Sequence, residues 1–458
     1  MSSEKRTQDD KVKYMITEPI PRLICKMAVP TIISMLVSTF YNMVDTIFVG
    51  KLNTQSTGAV GVAFSVMALL QAIGFFFGHG SGNYISRAMG AREYDRAERM
   101  AATGFCSSLA AGVVIAVLGV LFVSPISVFL GSTPTILPYT NAYLRIIFIG
   151  APFILGSFVL NNQMRFQGNA SSAMVGIVIG AVLNIVLDPV LIFTCKLGIA
   201  GAAIATVISQ AVSFFILLLM NIKRAAIKVS IKNVSFKGYY YGQMFRGGIP
   251  SLCRQGIGSV ATICLNTAAG NYGGAMADAA IAAMGVVSRI TMFANSALIG
   301  FGQGFQPVCG TNYGAGKYGR VREAFWFCVK VGTLALVGIA IIGFISAEPL
   351  IQIFRDDADV VKIGSLAIRF QFIVMPTLAW TILCNMLLQT IGLAFKASIV
   401  ASARQGLFFI PLIFLLPAFM GLLGVQMCQM WADICAFILA VPMCIGVLNV
   451  LKQKDSLQ

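Results

Sequence analysis

Asp45 stands in "YNMVDTIFVG", residues 41–50, and Asp188 in "LNIVLDPVLIF", residues 183–193, each inside a long apolar run. No basic residue lies within a turn of Asp45 on either side. A carboxylate inside a bilayer costs on the order of 3 kcal/mol even on the lenient insertion scale, so such a residue marks an ion or proton pathway by default. Asn184 precedes Asp188 by four residues, which puts both on one helix face. Pro189 follows, removes a backbone hydrogen bond and leaves a carbonyl able to act as a ligand. The stretch "GAAIATVISQ", residues 201–210, adds the hydroxyl of Thr206 among small residues. Polar groups of another character occur later: Arg254 with Gln255, and Arg404 with Gln405. These either line a substrate path or snorkel to the interface. Tyr41 and Asn42, one turn before Asp45, join the path candidates. Asp433 has no partner that the sequence identifies.

The elements that position these groups are membrane spans. Of 458 residues 57% are hydrophobic and 11% charged, with a mean hydropathy of +0.84. A soluble chain of this length carries about 25% charged residues. Apolar stretches recur near 24–48, 57–79, 101–123, 140–160, 171–194, 201–221, 247–268, 279–307, 325–346, 366–388, 397–417 and 424–449, predicting twelve helical spans. The net charge of +16 is concentrated before the first span, after the second (Arg87, Arg92, Arg96, Arg99), after the sixth (Lys223, Arg224, Lys228, Lys232, Lys237) and after the eighth (Lys317, Arg320, Arg322). The alternate loops hold few basic residues. This is the positive-inside pattern, with both termini cytoplasmic; the charge is a topology signal and implies no nucleic acid. No cleavable leader is expected, because no A-x-A-like site follows the first apolar run. The eleven cysteines contain no C-x-x-C pair and read as small core hydrophobes.

The chain repeats. "GFFFGHGSGNYISRAMGAREYDR" at 74–96 aligns with "LIGFGQGFQPVCGTNYGAGKYGR" at 298–320, a shift of 224 that also pairs Pro152 with Pro376, Asn161 with Asn385 and Gly168 with Gly392. Six spans per half make a parallel repeat. The expected units are a cytoplasmic segment 1–23, an N-lobe 24–221, a linker 222–246, a C-lobe 247–449 and a tail 450–458. The linker reads as solvated in preference to an amphipathic segment on the inner leaflet. Gly78, Gly80, Gly82, Gly302 and Gly304 read as close helix packing, and His79 as a packed histidine. Asp45 falls opposite Leu265, Asp188 opposite Ile410 and Thr206 opposite Gln429, so the second half keeps the scaffold without the acids.

These features together resemble the multidrug and toxic compound extrusion (MATE) family, within the larger group that includes polysaccharide and lipid flippases. The resemblance rests on "AVPTIISMLVSTFYNMVDTIFVG", on "GNYISRAMGAREYDRA" with its echo "GTNYGAGKYGRVREA", and on "LNIVLDPVLIF" followed by "GIAGAAIATVIS". It is closest to the DinF-like branch and spans nearly the whole chain. It implies an all-α membrane protein of two six-helix bundles in a V, exporting amphiphilic drugs against a Na⁺ or H⁺ gradient from a bacterial inner membrane. In that branch an acid in the first span, an Asn and an Asp in the fifth and a Thr in the sixth form the coupling site. Here Asp45, Asn184, Asp188 and Thr206 stand there. Two close carboxyls share a proton or hold a cation, and the oxygen donor set suits Na⁺ as well as H⁺. No cofactor is expected beyond the coupling ion; partners are small amphiphilic compounds and membrane lipids, with the protein a monomer. A lipid-linked oligosaccharide flippase is the alternative. An enzyme lacks motif support, with one histidine and neither H-E-x-x-H nor G-x-S-x-G, and a channel lacks a charged ring or carbonyl filter.

Overall fold

Apolar segments in a bilayer must satisfy their backbone internally, and the computed structural model, which describes residues 3–457, is helical almost throughout. The first half comprises α1 (Ser3–Thr17), α2 (Ile20–Gly50), α3 (Thr54–Gly90), α4 (Tyr94–Leu121), the short α5 (Val123–Phe129), α6 (Leu137–Phe166), α7 (Ala170–Pro189) and α8 (Gly198–Arg224). The second half comprises α9 (Gly238–Tyr272), α10 (Ala277–Gly314), α11 (Tyr318–Ile345), the short α12 (Ala347–Gln352), α13 (Ala358–Val374), α14 (Thr377–Thr390), α15 (Ala394–Ser402), α16 (Ile410–Met420) and α17 (Leu422–Ser456). Among the described residues ten segments are long and apolar enough to span, and α13 with α14 makes an eleventh. The twelfth is α9, whose hydropathy is lowered by Arg254, Gln255 and Asn266 and which occupies the place of α2 in the repeat.

The repeat is visible in detail. Asn161 Nδ2 donates to the Ala173 carbonyl at 2.9 Å and Asn385 Nδ2 to the Ala397 carbonyl at 2.7 Å, donor and acceptor both shifted by 224. Gly168 and Gly392 take φ of +77° and +90°, the left-handed turn that ends α6 and α14 and favours glycine. The short helices α5 and α12 start at matching positions.

Three expectations need correction. The tenth span is not one helix: it bends by 58° beside Pro376, where the ring removes a backbone donor. The fifth span ends in a π-helical turn (Val190–Thr194) after Pro189, and the eleventh contains another (Ala403–Phe409). The linker is not freely solvated. Ala225, Ala226 and Ile227 are buried, Gln167 bonds both backbone groups of Ile227, and Ser235 N donates to Thr103 Oγ1. The cysteines also divide, five buried, four half-buried and two exposed, because a span offers small hydrophobes a lipid face as well as a core.

The first polar residues form a docked helix rather than a tail. On the N-lobe side of α1, Gln8 bonds the Ala226 carbonyl and Lys11 Nζ the Asn169 amide oxygen. On the other side, Asn312 bonds the Met15 carbonyl at 3.1 Å and Arg320 the Glu18 carbonyl at 2.5 Å. Met15 packs into the C-lobe core beside Phe305 and Val308, while Val12 packs into the N-lobe with Tyr84 and Ile85. The helix therefore bridges the lobes.

The lobes meet at the basic end, through α2 against α10 and α3 against α9. A Cβ on Gly90 would strike the Thr311 carbonyl, and one on Gly314 the Arg87 carbonyl, reciprocal contacts related by 224. Gly80 lies against the Met244 backbone and Gly304 against that of Ala28. Residues 78–86 and 302–312 are all buried. Towards the opposite end Gly61, Gly256 and Gly285 face open space. Small residues thus close one end while the other splays, giving a V.

Candidate functional site

Four N-lobe helices build the acidic site. Asp45 comes from the outer part of α2, Tyr143 from α6, Asn184 and Asp188 from α7, and Thr206 with Gln210 from α8. Asn184 Nδ2 donates to Asp188 Oδ1 at 3.4 Å. The Asp45 and Asp188 carboxyls lie beside each other. Tyr41 sits against Asn42 and Gln210, with both acids nearby. Tyr143 lies next to Thr206 and close to both acids. Ser157 on α6 donates to Gln210 Oε1 at 3.1 Å. Asp188, Asn184 and Thr206 are 0%, 2% and 5% exposed, while Asp45 is half-buried.

The unsatisfied atoms define the chemistry. Asp45 Oδ1, Asn184 Oδ1 and Asp188 Oδ2 are buried without a hydrogen-bond partner, as is the Ser209 hydroxyl. Buried polar atoms are normally paired, so three orphaned acceptors around two carboxyls make a place for a proton or a small hard cation. Among the described residues no basic side chain contributes to the surroundings of either acid.

Sequence reasoning assigned Asp45, Asn184, Asp188 and Thr206 to one site and Tyr41 to the substrate path; Tyr41 lies beside the acids, and Tyr143, Gln210 and Ser157 were missed. Tyr143 had a usable signal, because its repeat partner is Ala367. Asn42, a path candidate, lies beside Tyr41 at the edge of the acidic site. It is exposed and its amide caps the Ser38 carbonyl.

The C-lobe counterpart is neutralised. By the repeat, Thr206 and Gln210 fall opposite Gln429 and Asp433. Asp433, without a partner in the sequence reading, has one: Arg404 Nε donates to Asp433 Oδ1 at 2.6 Å, and Gln429 Nε2 to the same oxygen at 2.8 Å. The pair is 21% and 2% exposed. Gln405 packs towards Gly258 on α9.

Arg254 and Gln255 lie where the lobes begin to meet. Gln255 Nε2 donates across the interface to Gln71 Oε1 at 3.4 Å, and Arg254 reaches Asn385 Oδ1 at 3.4 Å. One turn deeper, His79 is packed, stacked on Phe75 with centroids 5.0 Å apart and bonded through Nδ1 to Ser251 Oγ across the lobes at 2.7 Å.

The MatE family model matches residues 30–190 and 250–415, one stretch in each lobe, starting at the prolines of α2 and α9. The chain belongs to the MatE family. MatE relatives include the multidrug export protein MepA of Staphylococcus haemolyticus (strain JCSC1435), 28% identical over 434 residues, 94% of this chain and 95% of that protein. MepA of Staphylococcus aureus (strain MSSA476) is 28% identical over 421 residues, 91% and 92% of the two chains. Among solved structures, the outward-facing conformation of a multidrug resistance MATE transporter of the MOP superfamily superposes with a TM-score of 0.91 at 24% identity, covering 96% of this chain and 98% of that one. A MATE structure in the straight conformation gives 0.91 at 24% identity, covering 96% and 99%. The MatE fold of two six-helix lobes is thus established for this multi-pass membrane protein, in a family of transporters rather than enzymes.

Proposed function

We propose that the protein is a secondary active exporter of amphiphilic compounds, exchanging them for H⁺ or Na⁺ by alternating access, with the basic end of the V in the cytoplasm of a bacterial inner membrane. The carrying observation is the N-lobe site, where Asp45 and Asp188 converge with Asn184, Thr206 and Tyr143 around three unpartnered oxygens. The acids are the coupling groups. Two carboxyls side by side away from bulk water do not both hold a bare charge, so their occupancy by a proton or cation follows the gradient. The half-buried Asp45 admits the ion from the open side, Asp188 holds it, and Asn184, Thr206 and Tyr143 supply neutral oxygens. Because the Arg404–Asp433 pair satisfies the equivalent C-lobe position, coupling resides in the N-lobe, as in DinF-like members.

The open V between the lobes receives the substrate. Tyr41, Asn42, Arg254 and Gln255 line its path, with Arg404 and Gln405 further along the C-lobe wall. The similarity to MepA, a multidrug export protein, supports broad export. A ligand shifts the equilibrium between open ends only by binding one state better than the other, and the acids supply that difference for the ion. The decisive experiment is reconstitution into liposomes with one gradient imposed at a time, following ethidium efflux. Efflux should depend on a H⁺ or a Na⁺ gradient and saturate with dye. Dye movement that ignores both gradients rules the antiport reading out.

A further inference from the structure

Outside the acidic site, the most unusual feature is a buried arginine close to a half-buried one at the floor of the V. Arg165 on α6 is 1% exposed and among the largest fully buried side chains. Its Nη2 bonds Asn162 Oδ1 at 2.6 Å, and its Nε has no partner. Its guanidinium lies over the Phe166 ring, 5.1 Å from the centroid, and Phe166 packs edge-on against His79 at 6.0 Å; His79 in turn bonds Ser251, one turn before Arg254 on α9 of the other lobe. The hydrogen bond that fixes Arg254, to Asn385 Oδ1, is long at 3.4 Å. Nε2 of His79 is buried and unpartnered as well. Among the described residues no carboxylate contributes to the surroundings of Arg165, Arg254 or His79, and no ion pair among them involves either arginine. A guanidinium carries five N–H donors; among the described residues each arginine has one amide acceptor, and the face of Arg165 rests on Phe166, which leaves N–H donors spare on both. Buried charges are ordinarily paired. The remaining donors are those of an anion site, in which two planar forks on opposite lobes can hold one group bidentately.

We propose that Arg165 and Arg254 form a subsite for an anionic group on the exported compound, a carboxylate, sulfonate or phosphate carried on an apolar body. This deepens the proposed function and rests on it. Arg254 is half-buried at the floor of the cleft, where it meets an incoming anion first; Arg165, behind it, completes the grip. Because the two belong to different lobes, the bound group draws the lobe floors together in this conformation and loses one arginine when they part. That differential affinity couples release to the rocking of the lobes. The chain therefore handles zwitterionic and anionic amphiphiles in addition to cationic ones.

The test uses the full chain in liposomes under the gradient that drives ethidium efflux, with carboxyfluorescein as the anionic probe. The wild type should export both dyes. Arg254→Gln should lower carboxyfluorescein export at least about tenfold more than ethidium export, the scale of one lost charge-assisted contact. Arg254→Lys, which keeps the charge without the fork, should retain an intermediate rate, and Arg165→Lys should act in the same direction. If Arg254→Gln does not insert, the two lysine variants carry the comparison. A wild type that exports ethidium but not carboxyfluorescein overturns the anion subsite and leaves the antiporter reading standing. Equal losses for both dyes in every variant also overturn it, since the arginines then act on folding or on the common cycle. Export of neither dye removes both readings.

Discussion

At the residue scale the chain places its two kinds of buried charge in separate lobes' environments and treats them differently. Asp45 and Asp188 keep unsatisfied oxygens, while Asp433 is held by Arg404 and Gln429. Opposite outcomes are expected from neutralising them. Asp45→Asn and Asp188→Asn remove a costly ionisable group and should insert and fold near normally. Each should nevertheless lose gradient-driven ethidium efflux by about tenfold or more, while dye binding in detergent survives. Asn184→Ala, Thr206→Ala and Tyr143→Phe should raise the ion concentration needed without abolishing transport. Wild-type rates in both aspartate variants would make the pair structural. Asp433→Asn, in contrast, strands the Arg404 charge and should cost about 3 kcal/mol of stability. The double change Asp433→Leu with Arg404→Met should recover most of it. Thermal unfolding in detergent separates the cases, and a double variant no better than the single one contradicts a purely structural pair.

At the element scale, helix α1 and the asparagine staples show how the halves are fastened. Asn161 and Asn385 tie α6 to α7 and α14 to α15 by the same bond. Alanine at either position should therefore lower stability by a similar amount, about 1 kcal/mol each; a large difference between them would mean that the lobes are not equivalent scaffolds. The α1 segment bonds both lobes, which the proposed alternating-access cycle requires to separate at this end. Asn312→Ala with Arg320→Ala releases its C-lobe attachment and leaves the N-lobe contacts. In a background without native cysteines, a cysteine at Ser251, 0% exposed at the lobe interface, should then react severalfold faster with a thiol reagent added at the basic end. Unchanged reactivity would show that α1 rides on the lobes without restraining them.

For the whole molecule, the V depends on small residues where backbones cross. Gly90 and Gly314 each abut a carbonyl of the opposite lobe, so leucine at both positions removes the close approach in this conformation only. A two-state molecule responds by repopulating the alternative state, and a shift of about 3 kcal/mol suffices to move a balanced pair beyond 99:1. Spin labels at Leu52 and Gly274, in the loops at the open end, should report a shorter separation in the double variant. Transport should fall for both cationic and anionic dyes, unlike the charge variants. An unaltered distance distribution would place the closing contacts elsewhere.

The sequence by itself determined the membrane class, the two-lobe repeat and most of the acidic site, because apolar run length, loop charge and a constant shift of 224 are local or countable properties. An intramembrane acid is conspicuous wherever it falls, so Asp45, Asp188 and Asn184 were legible. Tyr143, Gln210 and Ser157 were not, since a tyrosine, an amide and a serine are unremarkable until four helices bring them together. Pairings across the chain escaped for the same reason. Arg404 and Asp433 lie 29 residues apart, and Arg165 and Arg254 belong to different lobes; no periodicity within one helix relates either pair. The bend at Pro376 was likewise undetermined, because Pro152, its repeat partner, sits inside an unbroken α6. A proline weakens a helix, but the packing around it decides whether the helix breaks. Which charges are paired and which are left to a ligand is decided only when helices from both halves close around them, since a buried charge is compensated by whatever lies next to it in space.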